Sequence, residues 1–470
     1  MSRLKKLYIL LGVLAVVCAA TFAVLRLEER KEQIRTSEDI ILELPPDSVH
    51  SLSWEHEGTV LTFHREETWL YDGDEAFPVS EEKMDSLLEQ FEAFGVSFII
   101  EDAEDLGQYG LDDPVCTIDL STEEQSYQIL LGDYSKMDSK RYVSIGDGNV
   151  YLVQNDPLEK FDTDLRSMID NDEAPSFQSV SEIRFSGDEN YTVIYAEDGS
   201  GNYNAEDVYF AQRSGTNLPL DTSKVDGYLR AIRSLLPAEY VSYNVTDEEL
   251  RAYGLDAPDL TVAVDYTEEN EEGEETADTF VLHISRDPEE KKAAEESAGQ
   301  EDGGSADETV TAYVRVGESP IIYKISKSSY EKLAAAAYDD LRHSEVFWAD
   351  FADVLQIDVS LEGNSYTITS EKDGDSRIYR YQDEEIGIDS FQDALEGLNA
   401  DSFTDQQPAQ KEEIGLTLYL DSEDFPEVTI KLYRYDGAYC LAETDGKPVS
   451  LVDRAAVVAL IEAVHAIVLG

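Results

Sequence analysis

Three of the six histidines lie close together near the start of the chain, where they could bind a metal ion. They are His50, His56 and His64, and all fall in or beside one predicted hairpin. Imidazole nitrogen is a common ligand of zinc. The sequence contains neither His-Glu-x-x-His nor Cys-x-x-Cys, the spacings that typically build such a site. We therefore interpret these histidines as surface positions of strands, and we predict neither a metal site nor a cofactor.

Two Ser-x-x-Lys sequences could supply the nucleophile and the base of an acyl-transfer enzyme. They run from Ser80 to Lys83 and from Ser329 to Lys332. The companion motifs of such enzymes are absent, and both serines suit the start of a helix. The sequence Asp445-Gly446-Lys447 is followed by Pro448 rather than by Ser or Thr, so it does not complete a phosphate-binding loop. We predict no catalytic residues and no ATPase activity for this chain.

The charge balance is strongly acidic, with 101 Asp and Glu residues against 36 Lys and Arg and a formal net charge of −65. A surface of this sign repels nucleic-acid phosphates and anionic lipid head groups, so we predict no nucleic-acid partner. It suits solubility in an open aqueous compartment, attraction to cations and basic partners, or a salt-rich habitat. Turns such as Asp72-Gly73-Asp74 do not complete a twelve-residue calcium loop, and we interpret them as polar hairpin turns.

An uncharged, apolar segment runs from Leu7 to Leu25 and ends at Arg26. About 20 apolar residues span the hydrocarbon core of a bilayer as a helix. The basic residues before the segment favour a cytoplasmic N-terminus. We predict a single-pass protein of the cell membrane, in which residues 1–40 are the anchor and juxtamembrane segment and the bulk of the chain is extracytoplasmic. Two alternatives stay open: a cleaved signal peptide and lipid modification of Cys18.

One strand pattern occurs three times along the chain. It consists of a Val, an Ile or Leu three residues later, and a bulky apolar residue two positions after that. The copies are Val49, Leu52, Trp54; Val180, Ile183, Phe185; and Val354, Ile357, Val359. The apolar residues alternate with polar ones, as in a half-buried strand. This recurrence predicts a structure built from repeats.

A turn motif, Tyr-Gly-Leu-Asp-x-Pro, is the second anchor of the repeat. It consists of Tyr109, Gly110, Leu111, Asp112 and Pro114 in the first copy and of Tyr253, Gly254, Leu255, Asp256 and Pro258 in the second, with a degenerate third copy at Gly415 and Leu416. The spacing from Val49 to Val354 is 305 residues, as is that from Tyr109 to Ile414. We interpret the motif as structural, because Gly permits an unusual backbone and Pro ends the turn. Ligand contact is the alternative.

A helix with one apolar face lies between the two anchors in each copy. The expected buried positions are Met84, Leu87, Leu88 and Phe91; Val225, Tyr228, Leu229 and Ile232; and Phe391, Ala394, Leu395 and Leu398. Three residues, Ser80, Asp221 and Asp389, stand where an N-cap is expected. Short strands joined by tight turns surround each helix and indicate mostly antiparallel pairing.

The sequence thus predicts an α+β protein with three repeated units of mostly antiparallel sheet and two helices each, in the order βββαββββα, preceded by one transmembrane helix. The predicted units cover residues 41–175, 176–345 and 346–470. The second unit contains an insertion, residues 286–308, that is rich in acidic residues, Gly, Ser and Ala. That composition predicts a disordered loop, and a functional acidic tether is the alternative.

These features resemble a known family. The strand that opens at Val49, the Tyr-Gly-Leu-Asp-x-Pro turn and the segments Ile129 to Asp133, Arg141 to Val143 and Val150 to Val153 are similar to the family catalogued as domain of unknown function 4340. The resemblance is best over about residues 45–340, and the third copy departs from it at Ile414. It implies a bacterial envelope protein without established activity, associated with permeases of the ABC-2 type. It supplies no catalytic residues.

We therefore expect a non-catalytic binding or scaffolding protein that is auxiliary to an ABC-type envelope transport system. A cell-wall or surface adhesion module is the first alternative, because repeated units offer several similar surfaces. An envelope hydrolase with an unrecognised site is the second. Its sign in a structure would be a cleft that gathers several carboxylates or histidines with perturbed pKa values.

Overall fold

The computed structural model describes residues 39–101, 103, 105–197, 202–204, 206–213, 215–269, 273–298, 310–374, 376–422 and 425–469. The chain divides into two compact units, one ending at Asn171 and the other beginning at Asp172. The predicted membrane segment, Leu7 to Leu25, lies outside the described residues. None of the helices within the described ranges has the length and hydropathy that a bilayer crossing requires.

The first unit is built on one sheet, which has nine strands in the described residues. In chain order, β1 to β9 are Asp39–Leu42, Val49–His56, Thr59–Arg65, Trp69–Tyr71, Phe94–Ile100, Cys116–Thr122, Ser126–Ser135, Lys140–Ser144 and Val150–Val153. The order across the sheet is β1-β5-β9-β8-β7-β6-β2-β3-β4, and the pairings are antiparallel. Helices α1, Glu81–Glu92, and α2, Leu158–Phe161, belong to the same unit.

The second unit contains two further sheets, again with nine strands each in the described residues. Strands β10 to β18 are Ser179–Gly187, Tyr191–Tyr195, Tyr209–Arg213, Thr216–Pro219, Glu239–Ser242, Leu260–Glu269, Glu275–Arg286, Ala312–Val316 and Ile322–Ile325. Strands β19 to β27 are Val354–Leu361, Asn364–Asp373, Ser376–Tyr381, Glu384–Ile386, Ala400–Phe403, Glu412–Leu420, Glu427–Arg434, Tyr439–Thr444 and Lys447–Asp453. Helices α3 to α9 are Thr222–Arg233, Asp247–Ala252, Pro288–Ala298, Lys327–Ala334, Tyr338–Leu341, Asp389–Glu396 and Arg454–Leu469.

The strand that opens each copy holds the same place in its sheet. Strands β2, β10 and β19 each lie between the next strand of the chain and a later one, which is β6, β15 and β24 respectively. The register is equivalent as well, since the third apolar residue of the pattern always faces a buried aliphatic residue. These pairs are Trp54 and Ile118, Phe185 and Val262, and Val359 and Leu416.

The predicted order βββαββββα is wrong. The first and third sheets follow the order ββββαβββββα, and five described helices accompany the second sheet rather than two. Most of the missed strands are edge strands of only three or four residues, such as β1, β13 and β22. A run that short contains too few positions for apolar alternation to distinguish a strand from a loop.

The interpretation of residues 286–308 as one disordered loop also needs correction. Arg286 ends β16, and helix α5 follows from Pro288 to Ala298, while residues 299–309 lie outside the described ranges. The Oδ1 atom of Asp287 accepts hydrogen bonds from the backbone N–H groups of Glu289 and Glu290, both at 3.0 Å. Asp before Pro is a strong helix-start signal, and it depends on the order of two residues, which composition alone does not show.

The structure confirms the apolar faces predicted for α1 and α3, and it confirms the face predicted for α8 in part. In α1 and α3 all eight predicted residues are buried. In α8 Phe391 and Leu395 are buried and Ala394 is half-buried, whereas Leu398 is buried but lies beyond the last residue of the helix, Glu396. Ser80 and Asp221 cap α1 and α3 through their side chains. Asp389 differs from the prediction, because α8 begins at Asp389 itself and Ile388 precedes it without a side-chain cap.

Candidate functional site

The Tyr-Gly-Leu turn ends a short helix in both of its complete copies, the 3₁₀ helix Gly107–Tyr109 in the first and α4 in the second. Gly110 and Gly254 have φ values of +67° and +73°, a backbone conformation that favours glycine. The next residue closes the turn, since Leu111 N–H donates to the carbonyl of Leu106 at 3.1 Å and Leu255 N–H donates to that of Leu250 at 2.8 Å. This is the hydrogen-bond pattern of a helix C-cap with glycine in the left-handed position.

The remaining motif residues pack the turn against its sheet. Tyr109 contacts Tyr142 with ring centroids 5.0 Å apart, and Tyr253 contacts Tyr313 at 4.6 Å. Leu111 and Leu255 are buried, Pro114 and Pro258 are half-buried, and Asp112 and Asp256 are exposed. The geometry is that of a structural turn whose only exposed polar groups are its aspartates.

The structure places Gly415 and Leu416 differently from their expected counterparts. Both lie inside strand β24, where Leu416 is buried opposite Val359. The residue with this position in the first sheet is Ile118, opposite Trp54, rather than Leu111. The third Gly-Leu pair is therefore part of a strand, and its spacing of 305 residues from the first motif does not reflect structural equivalence.

The three histidines of the first hairpin do not converge on one point. Each faces a different carboxylate: His50 approaches Glu123, His56 approaches Asp162 and His64 approaches Asp72. The Asp72 partnership raises the pKa of His64 above its usual range through a hydrogen bond. In the described residues of the first unit these are three separate contacts, each between one histidine and one carboxylate.

A cavity in the second unit is lined by more charged side chains than either the Tyr-Gly-Leu turn or the histidine hairpin. Its volume is about 730 Å³, and it lies among the segment before β12, the start of α3, the connection from α7 to β19 and the end of α8. Seven carboxylates line it: Glu206, Asp207, Asp221, Glu345, Asp350, Asp353 and Glu396. We call it the acidic cavity. It is formed by residues of both the second and the third copy.

His343 lies in the wall of the acidic cavity, where it contacts two of the lining carboxylates. Its Nε2 atom lies 2.7 Å from Oδ2 of Asp207, and its Nδ1 atom lies 3.7 Å from Oε2 of Glu345. The Trp348 ring stacks on the imidazole with centroids 5.1 Å apart and planes inclined by 7°. One ligand atom each from Asp221, His343 and Glu345 lies within 4.8 Å of the other two. Imidazole and two carboxylates are thus held at close range.

Backbone contacts hold the three acidic residues that surround His343. The N–H of Thr222, the first residue of α3, donates to Oδ1 of Asp207 at 3.2 Å. Asp221 is the N-cap of the same helix, and its Oδ1 atom accepts from the N–H groups of Ser223 and Lys224. Glu345 forms an isolated β-bridge with Asn399. The start of helix α3 and the bridged segment at Glu345 therefore bring these three carboxylates together.

An aromatic cluster joins the two copies beside the acidic cavity. The Tyr203 ring lies 5.0 Å from the Trp348 ring and 5.1 Å from the Phe425 ring, and its hydroxyl donates to Asp445. The Trp348 Nε1–H donates to Oδ1 of the buried Asn202 at 2.9 Å. These contacts connect the second copy to loops of the third, because Trp348, Phe425 and Asp445 all lie between its strands or before them.

Comparison with known families identifies the chain. The sequence model of the family described as domain of unknown function 4340 matches residues 69–208 and 213–417. The chain belongs to this family. The matched stretches contain Asp207, Asp221, His343 and Glu345, and they extend into the third copy, beyond the part that the sequence motifs had covered. No curated protein matches this chain.

In this domain of unknown function 4340 protein, contacts within the cavity wall favour the charged forms of His343 and Glu345. Burial lowers the pKa of His343, but hydrogen bonding to Asp207 and Glu345 outweighs it and raises that pKa to about 9. The interaction with His343 lowers the pKa of Glu345 to about 2. Burial, together with Asp350 and Asp421, raises the pKa of Asp353. At neutral pH one imidazolium then faces several carboxylates, and the cavity attracts positive charge.

Sequence reasoning did not single out any residue of the acidic cavity for chemistry. Asp221 was identified as an N-cap, and His343 was one of the scattered histidines. The one local signal is that His343 and Glu345 are two positions apart in an extended segment, which places their side chains on the same side. Asp207 lies 136 residues before His343, so only the fold reveals their contact.

Proposed function

We propose that this family member is a non-catalytic binding or scaffolding protein, attached to a membrane and facing away from the cytoplasm, and that the acidic cavity is its ligand-binding site. The observation that carries the proposal is the convergence of seven carboxylates on one cavity of about 730 Å³. Concave sites with a few convergent polar groups are the usual place of ligand binding. The charge of this one selects positively charged ligands or basic partner segments.

The charge of the whole chain supports the same proposal. With a formal net charge of −65, the protein attracts cations over a long range, and a concave acidic wall concentrates them further. The mixture of carboxylates with Trp348 suits a cationic group, since a ring face also attracts positive charge. Affinity that depends on such attraction falls as salt concentration rises.

Membrane attachment is the part of the proposal that rests on sequence. The segment from Leu7 to Leu25 is uncharged and apolar, and basic residues precede it. The family resemblance suggests permeases of the ABC-2 type as partners of the exported part. An auxiliary subunit of such a system would need a binding surface outside the membrane, and the acidic cavity offers one.

Two lysines introduced into the apolar segment are expected to detach the protein from membranes. Each charge at the centre of a membrane-crossing segment costs about 2.5–3.5 kcal/mol, so the double variant Leu14→Lys, Val16→Lys should shift from the membrane fraction to the soluble fraction. Alkaline phosphatase fused after Gly470 reports the side of the membrane, because it is active only outside the cytoplasm. We expect the unmodified fusion to be active and to sediment with membranes.

The matched control adds the same charge to exposed strand positions. Val60 and Tyr134 are 56% and 47% exposed, so Val60→Lys, Tyr134→Lys should leave the fusion active and membrane-bound. An unmodified fusion that is inactive and soluble would refute attachment and export together. A fusion that is active but soluble would refute attachment alone and favour cleavage of the segment.

A hydrolase is the second candidate function, and one observation favours it. His343 and Glu345 have perturbed pKa values and face the same cavity, a combination that is typical of catalytic sites. Against it, an imidazolium with a pKa of about 9 lacks the free lone pair that a general base needs at neutral pH. Hydrolysis of ester, amide or phosphate substrates that disappears in His343→Gln would favour this candidate over a binding protein.

A further inference from the structure

We propose that Asp221, His343 and Glu345 form a binding site for one divalent transition-metal ion, with Zn²⁺ as the best-matched ion. The proposal rests on the proposed function in one respect, that the acidic cavity is a binding site. It goes further by naming the ligand and the three side chains that coordinate it. An imidazole nitrogen with two carboxylate oxygens is a ligand set that suits zinc and its neighbours better than calcium or magnesium.

The distances among the three side chains are close to those of a coordination shell. Their ligand atoms lie within 4.8 Å of one another, and Nδ1 of His343 is 3.7 Å from Oε2 of Glu345. Bonds of about 2.0–2.2 Å to one tetrahedral ion place ligand atoms roughly 3.3–3.6 Å apart. Small side-chain movements, of less than about 1 Å each, therefore close the shell around an ion.

Asp207 holds His343 in the orientation that metal binding requires, and an ion bound at Nδ1 displaces the proton that the imidazolium carries at neutral pH. Its carboxylate lies 2.7 Å from Nε2 and is only 6% exposed, so it fixes the ring with Nδ1 directed towards Glu345. A carboxylate on the remote nitrogen of a metal-bound histidine is a recurrent arrangement, because it selects the tautomer and strengthens the ligand. The N–H of Thr222 in turn holds Asp207.

The two carboxylate ligands have an oxygen available and room to adjust. Asp221 uses Oδ1 for both capping hydrogen bonds, and neither of these bonds involves Oδ2. Glu345 has a side chain that is 40% exposed, so it can move towards an ion without disturbing the core. The acidic cavity beyond them leaves space for water or a partner group to complete the coordination.

A structural ion-pair network is the competing explanation of the same contacts. In that case a protonated His343 joins Asp207 and Glu345, and an added metal ion finds no specific place. The two explanations differ in stoichiometry and in which carboxylates matter. A network without a metal site predicts that all cavity carboxylates contribute similarly to weak cation attraction.

The test measures binding of Zn²⁺ to the full-length, chelator-treated protein in detergent by titration calorimetry. We expect one tight site per chain, with much weaker binding of Mg²⁺ and Ca²⁺, and a change in Trp348 fluorescence because its ring stacks on His343. Asp221→Asn retains a good helix cap but removes a charged ligand. Asp221→Asn and Glu345→Gln should each weaken Zn²⁺ binding by about tenfold or more.

Glu206→Gln is the matched control, since it removes one exposed carboxylate of the same cavity that is not among the three ligands. It should change the affinity by less than about twofold. Equal losses in all three variants, or no tight site in the unmodified protein, would overturn the metal site. Neither result bears on the proposal that the protein is attached to a membrane and exported, because the fusion assay in cells tests that proposal separately.

Discussion

Replacing Trp54 with alanine is expected to lower the free energy of unfolding of the first unit by about 3–5 kcal/mol. Trp54 is 2% exposed in strand β2, so its indole is removed almost completely from water. Its ring stacks on Phe63 at a centroid distance of 5.4 Å and meets the edge of Phe161 at 5.5 Å. The substitution leaves a cavity among these aromatic rings and removes the third residue of the repeated strand pattern.

Hydrogen exchange of peptides from residues 39–171 measures this loss without assuming that the whole chain unfolds in one step. Val60→Ala is the control, because Val60 lies in the paired strand β3 with 56% of its surface exposed. It should change protection by less than about 0.5 kcal/mol. Similar losses in the two variants would show that the apolar pattern of the opening strand does not define the core.

Replacing Gly132 with alanine is expected to destabilise the first unit by about 1–3 kcal/mol or more. A Cβ atom at this position of strand β7 would overlap the carbonyl oxygen of Tyr109 and approach the Leu111 side chain to 3.0 Å. Both contacts belong to the Tyr-Gly-Leu turn, which must move away from the sheet to make room. The substitution thus tests whether the turn is a packed structural element.

Gly227→Ala is the matched control for the same chemical change. Gly227 lies inside helix α3, and a Cβ atom there would meet nothing within 4 Å. Alanine should therefore stabilise that helix by about 0.5–1 kcal/mol, opposite in sign to the effect at Gly132. Hydrogen exchange of peptides that cover Tyr109 to Tyr142 measures the effect of Gly132→Ala, and exchange of peptides from helix α3 measures that of Gly227→Ala. Unchanged protection in Gly132→Ala would contradict the close contact between turn and strand.

The sequence predicted those parts of the fold that have a long periodic signal. The opening strands and the faces of α1 and α3 repeat apolar residues over eight or more positions, and the structure has them as expected. Most of the strands that the sequence did not predict, such as β1 and β22, lie at a sheet edge and have only three or four residues, which cannot show a period. The seven-residue strand β5 was not predicted either. The Gly415-Leu416 pair was misassigned because equal spacing along the chain does not fix the register of a strand.

The acidic cavity could not be predicted for a different reason. Its residues come from segments that are distant in sequence, and none carries a motif that signals chemistry. Asp207 is held by the first residue of a helix, and His343 follows α7, so their contact depends on how the second copy closes. The acidic composition indicated attraction to cations in general, but only the fold shows where carboxylates and an imidazole converge.

Photo-crosslinking in intact cells tests the central claim, that the acidic cavity is the binding site of an exported binding protein, most directly. A photoreactive residue replaces Glu206 in the cavity or, as control, Met137, which is 92% exposed on the first unit. We predict that a defined membrane partner is captured from position 206 and not from 137, and that high salt reduces its yield. Capture of the same proteins from both positions, or of no membrane protein from 206, would contradict the claim.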